Sequence, residues 1–569
     1  MTVLLDFIAE RTIDALVDRL LARRPSGAVE AWLFEDTPTR RAAEAKLADA
    51  GITARMRSAY KPLVHFLTEE APPIIKTIDV RYPISPNASQ KRFLLEAFPL
   101  AGMVDGATLT FAGEATNDLT YRVTLDGEMF EVFAPNRVHT DHCGDPQLSP
   151  TGWLRIPADG IDEPITTDFE QVYARAMDAI ATFDFGTTAP LFDELNIRVT
   201  LPARDEKLPV GEEAISLAEA MHEDLYFSVM EIFQARLGSG RSDRRARPGH
   251  IVPQVGRAEG PPSVRIETRP LYQAEASVPF QPLAAATHPL GVDQIRAEIA
   301  ALGREPITAR SRAGRALPGA YKPGTDLGVI ITSGQHANET TGIVGAVRGA
   351  QLLNQRPEAH FAVTPLENPD GYALHHRLRA EHPNHMHHAA RYTGLGDDVE
   401  SRGAEPIFES LIRREQLSRM DARLHLNLHG YPAHEWTRPL SGYLPQGFEL
   451  WTLPKGFFLV MRCHKEYSEL AEKLLIATTE KLAEVPGLVD YNARQIALYT
   501  AHVGPPSTFR VVNGFPITVS SDVTYDVPMT LISEFPDETI YGEEFILGHT
   551  AQTATVIAAY DAYQALATG

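Results

Sequence analysis

A histidine and a glutamate lie three residues apart, directly after a segment that is predicted to be a buried strand. The apolar run at 327–331 is broken at Gly334, and the small residues that follow can begin a helix. His336 and Glu339 therefore occupy a strand-to-helix turn, where one bend can aim an imidazole and a carboxylate at a common point. These are suitable side chains for two of the ligands of a zinc ion, although the same spacing also occurs in ordinary exposed turns.

Two further candidates follow predicted strands much later in the chain. His429 comes after the segment 423–428, and Glu534 follows the apolar run 529–533. A hydrolytic zinc site needs three protein ligands, an open position for water and a nearby carboxylate that accepts the proton of that water. His336, Glu339, His429 and Glu534 would fill these roles in chain order.

Four short motifs make this sequence resemble the zinc carboxypeptidase family (M14, the carboxypeptidase A type). They are Gly-x-His-x-x-Glu at 334–339, Asn-Pro-Asp-Gly-Tyr at 368–372, Leu-His-Gly-Tyr at 428–431 and Thr-Leu-Ile-Ser-Glu at 530–534. The resemblance covers roughly residues 288–569 and implies a zinc metallopeptidase that hydrolyses a peptide or amide bond. It also implies one Zn²⁺ per chain, bound by His336, Glu339 and His429, with Glu534 as the general base.

The arginines expected from the resemblance are harder to assign. In the family, one arginine after the Asn-Pro-Asp-Gly-Tyr motif stabilises the oxyanion, and a later Asn-Arg pair binds the substrate carboxylate. The segment after residue 372 contains no Asn-Arg dipeptide, and its candidates are Arg377, Arg379 and Arg391. We expect Arg377 to stabilise the oxyanion and Arg391 to bind the carboxylate, because a planar guanidinium matches a carboxylate.

Alternatives remain open at this point. The succinylglutamate desuccinylase and aspartoacylase group also begins with a Gly-x-His-x-x-Glu turn, often with Asn before the Glu, as Asn338 is here. Such an enzyme would remove an acyl group from an amino acid, so the substrate is either a peptide or an acylated amino acid. A non-catalytic binding module on the same fold is a further alternative. A second metal held by His385, His387 and His388 is also conceivable, against a polar loop that supports the first site.

Composition excludes several other classes of protein. The chain has 569 residues, 44% hydrophobic and 22% charged, and a formal net charge of −21, which argues against partners such as nucleic acid or anionic lipid. Two cysteines imply no disulfide framework.

No long uncharged apolar run is present, and the first residues are predicted to form an amphipathic helix rather than a signal peptide. We therefore expect a cytoplasmic protein without a membrane segment; the oligomeric state is not indicated.

The pattern along the chain predicts an α/β protein with two domains. Residues 1–285 are expected to form an α+β domain of unknown role, with a helix at about 3–23, an antiparallel meander at 107–135, and a linker or ordered loop at 238–263. Residues 286–569 are expected to form the catalytic domain. The resemblance implies a mixed eight-stranded β-sheet sandwiched by helices there, with the metal at the strand ends.

Overall fold

The computed structural model describes residues 1–104, 106–116, 118–240, 243–403, 405–444, 449–506, 508–521 and 526–567. The first half of the chain alternates short strands with helices. Its strands are β1 (Thr2–Ile8), β2 (Val29–Leu33), β3 (Ala54–Ser58), β4 (Thr77–Ile84), β5 (Thr108–Ala115), β6 (Thr120–Leu125), β7 (Glu128–Phe133), β8 (Asn136–Thr140), β9 (Pro146–Pro150), β10 (Gly152–Ile156), β11 (Ile161–Ile165), β12 (Glu194–Leu201), β13 (Glu206–Lys207), β14 (Ala214–Ile215), β15 (His250–Arg257) and β16 (Ser263–Arg269). Its helices are α1 (Thr12–Arg23), α2 (Thr37–Asp49), α3 (Pro62–Glu69), α4 (Arg92–Glu96), α5 (Leu100–Met103), α6 (Asp168–Thr182) and α7 (Leu217–Arg236).

The second half is built around one large sheet. Its strands are β17 (Glu305–Arg310), β18 (Ala316–Lys322), β19 (Val329–Ser333), β20 (Phe361–Thr364), β21 (Leu424–Pro432), β22 (Phe458–Cys463), β23 (Arg510–Val512), β24 (Phe515–Ser520) and β25 (Met529–Glu538). Its helices are α8 (Val292–Ala301), α9 (Thr341–Asn354), α10 (Pro369–Glu381), α11 (Leu411–Arg419), α12 (Ser468–Leu482), α13 (Leu488–Val503) and α14 (Glu543–Ala567).

The large sheet is mixed, and its strand order is β17-β18-β20-β19-β21-β25-β22-β24-β23. Among the described residues, nine strands form this sheet, whereas the resemblance implies eight. β20, β19, β21 and β25 run parallel to one another, whereas β18 is antiparallel to β20 and β22 is antiparallel to β25. Because parallel strands end at the same edge, the residues that follow β19 and those at the end of β21 and β25 share one edge of the sheet.

Helices cover both faces of this sheet. Val329 and Ile331 of β19 belong to a core shared with α8, α9, α12 and α14, whereas Ile330 points to a separate core that contains Ile412 of α11. Side chains alternate between the faces of a strand, so two cores on alternating residues mean a sheet buried on both sides. The continuous apolar run of β19 follows from this double burial.

Glycines on α9 allow its close approach to the sheet and to α14. A Cβ atom on Gly345 would lie 2.4 Å from the Cβ of Gln552, and one on Gly349 would lie 2.7 Å from a methyl of Val556. On the sheet side, a Cβ on Gly342 would lie 2.8 Å from the carbonyl oxygen of Leu428. Larger residues at these positions would push the helix away from the strands that carry the candidate site.

The two halves of the chain share a hydrophobic core. This core combines residues of α6, α7 and β12 with Leu374, Leu378, Leu440 and Tyr443 from the second half. The small sheets of the first half have the strand orders β1-β16-β12-β15, β11-β10-β2-β3 and β5-β4-β6-β7. The predicted boundary near residue 285 therefore does not mark a gap in packing, and the division into two domains stays a prediction.

Several local predictions for the first half were wrong. Residues 2–8 form β1 rather than the start of a helix, because they pair with β16, some 260 positions away in the sequence. In the predicted linker, residues 250–257 form β15, a strand parallel to β12; residues 241 and 242 lie outside the described ranges. In the predicted meander, β6 and β7 form the expected hairpin, but β5 pairs in parallel with β4.

In the second half, the Asn-Pro-Asp-Gly-Tyr motif begins helix α10. The side chain of Asn368 accepts a hydrogen bond from the backbone N–H of Gly371, and Pro369 occupies the first helical position. Both features favour a helix start. No helix of the described residues has the length and apolar character needed to cross a membrane.

Candidate metal centre

The structure brings His336, Glu339 and His429 together at one edge of the large sheet. Nδ1 of His336 lies 2.8 Å from one carboxylate oxygen of Glu339, and Nδ1 of His429 lies 2.8 Å from the other. The two imidazole nitrogens are 3.0 Å apart, and one ligand atom from each residue lies within 4.8 Å of the others. The three side chains are almost fully buried, so they share one small enclosed space.

The strands and their turns determine this arrangement. After β19, Gly334 adopts a positive φ of 61°, which reverses the chain so that His336 and Glu339 return towards the sheet. His429 lies within β21, the parallel neighbour of β19. Next to it, a Cβ atom on Gly430 would lie 2.0 Å from Asp537, whose carboxylate accepts hydrogen bonds from the backbone and side chain of Thr341. Glycine at this position thus lets β25 hold the start of α9 close to the ligand cluster.

The donor set fits a zinc ion. Two imidazole nitrogens and a carboxylate are the protein ligands of a known type of catalytic zinc site. Burial alone would raise the pKa of Glu339, but His336, Arg391 and His429 hold this pKa well below its usual value, so the carboxylate is charged. Burial lowers the pKa of His429, which leaves its imidazole neutral and able to coordinate.

Asp398 supports the first ligand and was not predicted from the sequence. Its carboxylate lies 3.2 Å from Nε2 of His336, on the opposite side of the ring from Glu339, and it also accepts a hydrogen bond from Gln335 at 2.7 Å. Arg244, from the first half of the chain, lies 3.5 Å from the same carboxylate. A carboxylate on the second nitrogen fixes the orientation of a ligating imidazole. Asp398 is 62 residues from His336, and no spacing rule connects them.

We expect Asp398→Asn to weaken zinc binding by about 10–100-fold, because the amide would hold the imidazole without the charge that makes it a stronger ligand. Competition with a chromophoric chelator measures the affinity. Asp421→Asn is the matched control, since this aspartate side chain is 88% exposed. An unchanged affinity in Asp398→Asn would contradict the assigned role.

Glu534 lies beside the ligand cluster. It is paired with His429 across the parallel strands β21 and β25, so the two side chains emerge from the same face as neighbours. Glu534 is mostly buried, although less completely than the three candidate ligands. Burial, and secondarily the charge of Glu339, raises its pKa well above the usual value for a glutamate. A raised pKa gives this carboxyl group a higher affinity for a proton, as the role of a general base requires.

The two predicted arginines have different surroundings. Arg391 donates a hydrogen bond to Glu339 at 2.7 Å, which places its guanidinium at the ligand cluster. Arg377 instead donates to both carboxylate oxygens of Glu194 at 3.1 Å and to Gln254 at 3.0 Å, on strands of the first half. The structure therefore brings Arg391, and not Arg377, into contact with a candidate ligand.

The histidine-rich segment after α10 packs against the first half of the chain. His388 pairs with Glu223, and His385 lies 2.6 Å from Asp205. Among the described residues, His385, His387 and His388 do not form a group with metal-binding geometry, whereas Asp205, His382 and His385 do. The polar-loop interpretation therefore agrees better with the structure than the alternative of a second metal held by His385, His387 and His388.

A buried ion pair joins helix α7 to the segment after β21. Nε2 of His434 lies 2.7 Å from the carboxylate of Glu219, which also accepts a hydrogen bond from the backbone N–H of Met386. Burial would lower the pKa of His434, but Glu219, with Glu213 and Glu538, raises it to about 9. The first half of the chain thus contributes charged side chains that contact two segments next to the candidate metal centre.

No protein-family model and no curated protein matched this chain. Among solved structures, it is similar to a metallo-carboxypeptidase from Pseudomonas aeruginosa, with 15% identity, a TM-score of 0.32, and coverage of 55% of this chain and 73% of that one. It is also similar to carboxypeptidase A from Helicoverpa armigera, with 12% identity, a TM-score of 0.31, and coverage of 55% and 91%. A metallo-carboxypeptidase from Burkholderia cenocepacia has 14% identity, a TM-score of 0.29, and coverage of 54% and 73%.

Proposed function

We propose that this protein is a zinc-dependent hydrolase of peptide or amide bonds, acting as a carboxypeptidase-like metallopeptidase. The single observation that carries the proposal is the meeting of His336, Glu339 and His429 at the edge of the sheet, with Glu534 paired to His429 on the adjoining strand. Three protein ligands and a separate carboxylate form the minimal set for hydrolysis by an activated water.

His336, Glu339 and His429 would hold the zinc, and Asp398 would orient His336. When bound, zinc supplies a Lewis acid that activates a water and polarises the carbonyl of the substrate. Glu534 accepts a proton from the attacking water and passes it to the departing nitrogen, so the amide is split into a carboxylic acid and an amine.

Arg391 provides positive charge next to these groups. Its one side-chain hydrogen bond among the described residues is made to Glu339 through Nη1, which leaves the rest of the guanidinium free to bind the terminal carboxylate of a peptide. We therefore retain Arg391 as the carboxylate-binding residue. The predicted role of Arg377 in stabilising the oxyanion has no contact in the structure to support it.

Zinc content and substrate choice together test the proposal. We expect the purified protein to bind one zinc ion per chain and to release the C-terminal residue from N-acyl dipeptides with a free carboxylate. A chelator should abolish the activity, and added zinc should restore it. Cleavage of N-acyl amino acids alone would indicate a deacylase instead. A fully zinc-loaded protein that hydrolyses neither substrate would contradict both hydrolase assignments.

A further inference from the structure

A cavity of about 220 Å³ lies at the side of the sheet formed by β22 and β24. Its walls include Trp451, Phe458, Phe509 and Ile517, so they are largely aromatic and aliphatic. Of the described residues that line it, Lys455 and the partly exposed Glu449 carry charges. A small apolar cavity with one basic group is suited to a short carbon chain that ends in an anion.

The amine of Lys455 is buried, and no described residue forms a hydrogen bond with it. The residue is 4% exposed, and within the described part of the chain its Nζ makes no hydrogen bond. Nζ faces aromatic rings, at 4.4 Å from the centre of Trp451, 5.1 Å from Tyr431 and 5.2 Å from Phe458. Cation–π contacts offset part of the cost of burying the ammonium, but its three N–H donors remain unused. Burial lowers the pKa of this amine to about 7, against the opposing effect of Glu534.

Hydrogen bonds and strand pairing connect Lys455 to the segments that carry the candidate catalytic groups. Its backbone N–H donates to the hydroxyl of Tyr431, which lies two residues beyond His429 on β21 and donates in turn to the carbonyl of Gly456. Phe458, another wall of the cavity, is paired with Glu534 across β22 and β25. A substrate held at Glu534 can therefore extend a side chain towards the cavity.

We propose that Lys455 binds the side-chain carboxylate of the substrate residue that is released, while the aromatic walls hold the methylene groups of that side chain. The preferred substrates would then be peptides that end in glutamate or aspartate. This inference rests on the proposed hydrolase function. It adds a specificity that the four sequence motifs do not indicate, because Lys455 lies outside all of them.

Peptides that differ only in this charge test the inference. We compare benzoyl-Gly-Glu with benzoyl-Gly-Gln on the zinc-loaded full chain. A hydrogen bond to a charged group contributes about 1.5–3 kcal/mol, equivalent to about 10–150-fold, so we expect kcat/KM to favour glutamate by a factor in that range. In Lys455→Met this ratio should fall to about one, mainly through KM for the glutamate peptide. The matched control, Lys465→Met, removes an exposed lysine and should keep the ratio.

Other outcomes separate the inference from the proposed function. Equal rates on both peptides, slowed equally by Lys455→Met, would mean that Lys455 binds the terminal carboxylate and would overturn the side-chain assignment. Should Lys455→Met fail to fold, Lys455→Gln replaces it. Should neither peptide be cleaved, calorimetry can compare the affinities of N-acetylglutamate and N-acetylglutamine for the wild-type protein and for the variant. The inference then predicts tighter binding of N-acetylglutamate to the wild-type protein, and loss of this preference in the variant. Equal binding of both ligands to the wild-type protein would reject it.

Discussion

Replacing Glu534 with glutamine is expected to lower kcat by about 10²–10⁴-fold while zinc content stays unchanged. Glutamine keeps the size of the side chain but cannot accept the proton of the attacking water. The effect should appear in kcat rather than in KM, because the carboxylate acts on the reacting water and not on the parts of the substrate that give binding energy. Steady-state kinetics on an N-acyl dipeptide, with metal analysis of the same sample, measures both quantities.

The control for this variant is Glu305→Gln, since Glu305 is an exposed residue on the edge strand β17 of the same sheet. We expect its activity and zinc content to equal those of the wild-type protein. A Glu534→Gln protein that retains zinc and full activity would falsify the assignment of Glu534 as the base. Loss of zinc from this variant would instead mean that Glu534 is a ligand.

The second large effect is expected for His429→Gln, which should lose bound zinc and hydrolytic activity together. One of three protein ligands is removed, and Glu339 is left with one imidazole instead of two. Zinc analysis after gel filtration gives the stoichiometry. Thermal unfolding with and without added zinc gives a second measure, because an ion that binds only the folded state raises the melting temperature.

His425→Gln is a closely matched control for that experiment. His425 lies four residues before His429 on the same strand, is similarly buried, and contacts Thr332 Oγ1 at 2.7 Å instead of the ligand cluster. Both variants remove a buried imidazole from β21, so a general loss of stability should affect them alike. We expect His425→Gln to bind zinc as the wild-type protein does. Equal zinc content in the two variants would contradict the role of His429.

The first half of the chain contributes to the site by packing against it. Arg244 reaches Asp398, Glu219 pairs with His434, and Glu223 pairs with His388. These contacts hold the segments that follow β21 and α10, which lie beside the candidate ligands. Residues 1–285 therefore pack against the segments beside the candidate metal centre, which their sequence did not indicate.

The sequence by itself determined the local parts of the candidate site. The buried strand, the glycine that ends it and the turn that carries His336 and Glu339 could be predicted, because strand burial and turn formation depend on neighbouring residues. The same holds for the strands before His429 and Glu534. Motif order then predicted which side chains act together, and the structure brings the three candidate ligands within 4.8 Å of one another.

Only the tertiary structure decided what depends on contacts between distant segments. The pairing of β1 with β16, the register that sets His429 beside Glu534, and the contact of Asp398 with His336 all join residues far apart in the chain. The sequence offered both Arg377 and Arg391 as site residues, but Arg377 pairs with Glu194 and Arg391 pairs with Glu339. The physical reason is that local propensity limits the conformation of a segment, whereas the choice of partner follows from burial and pairing over the whole chain.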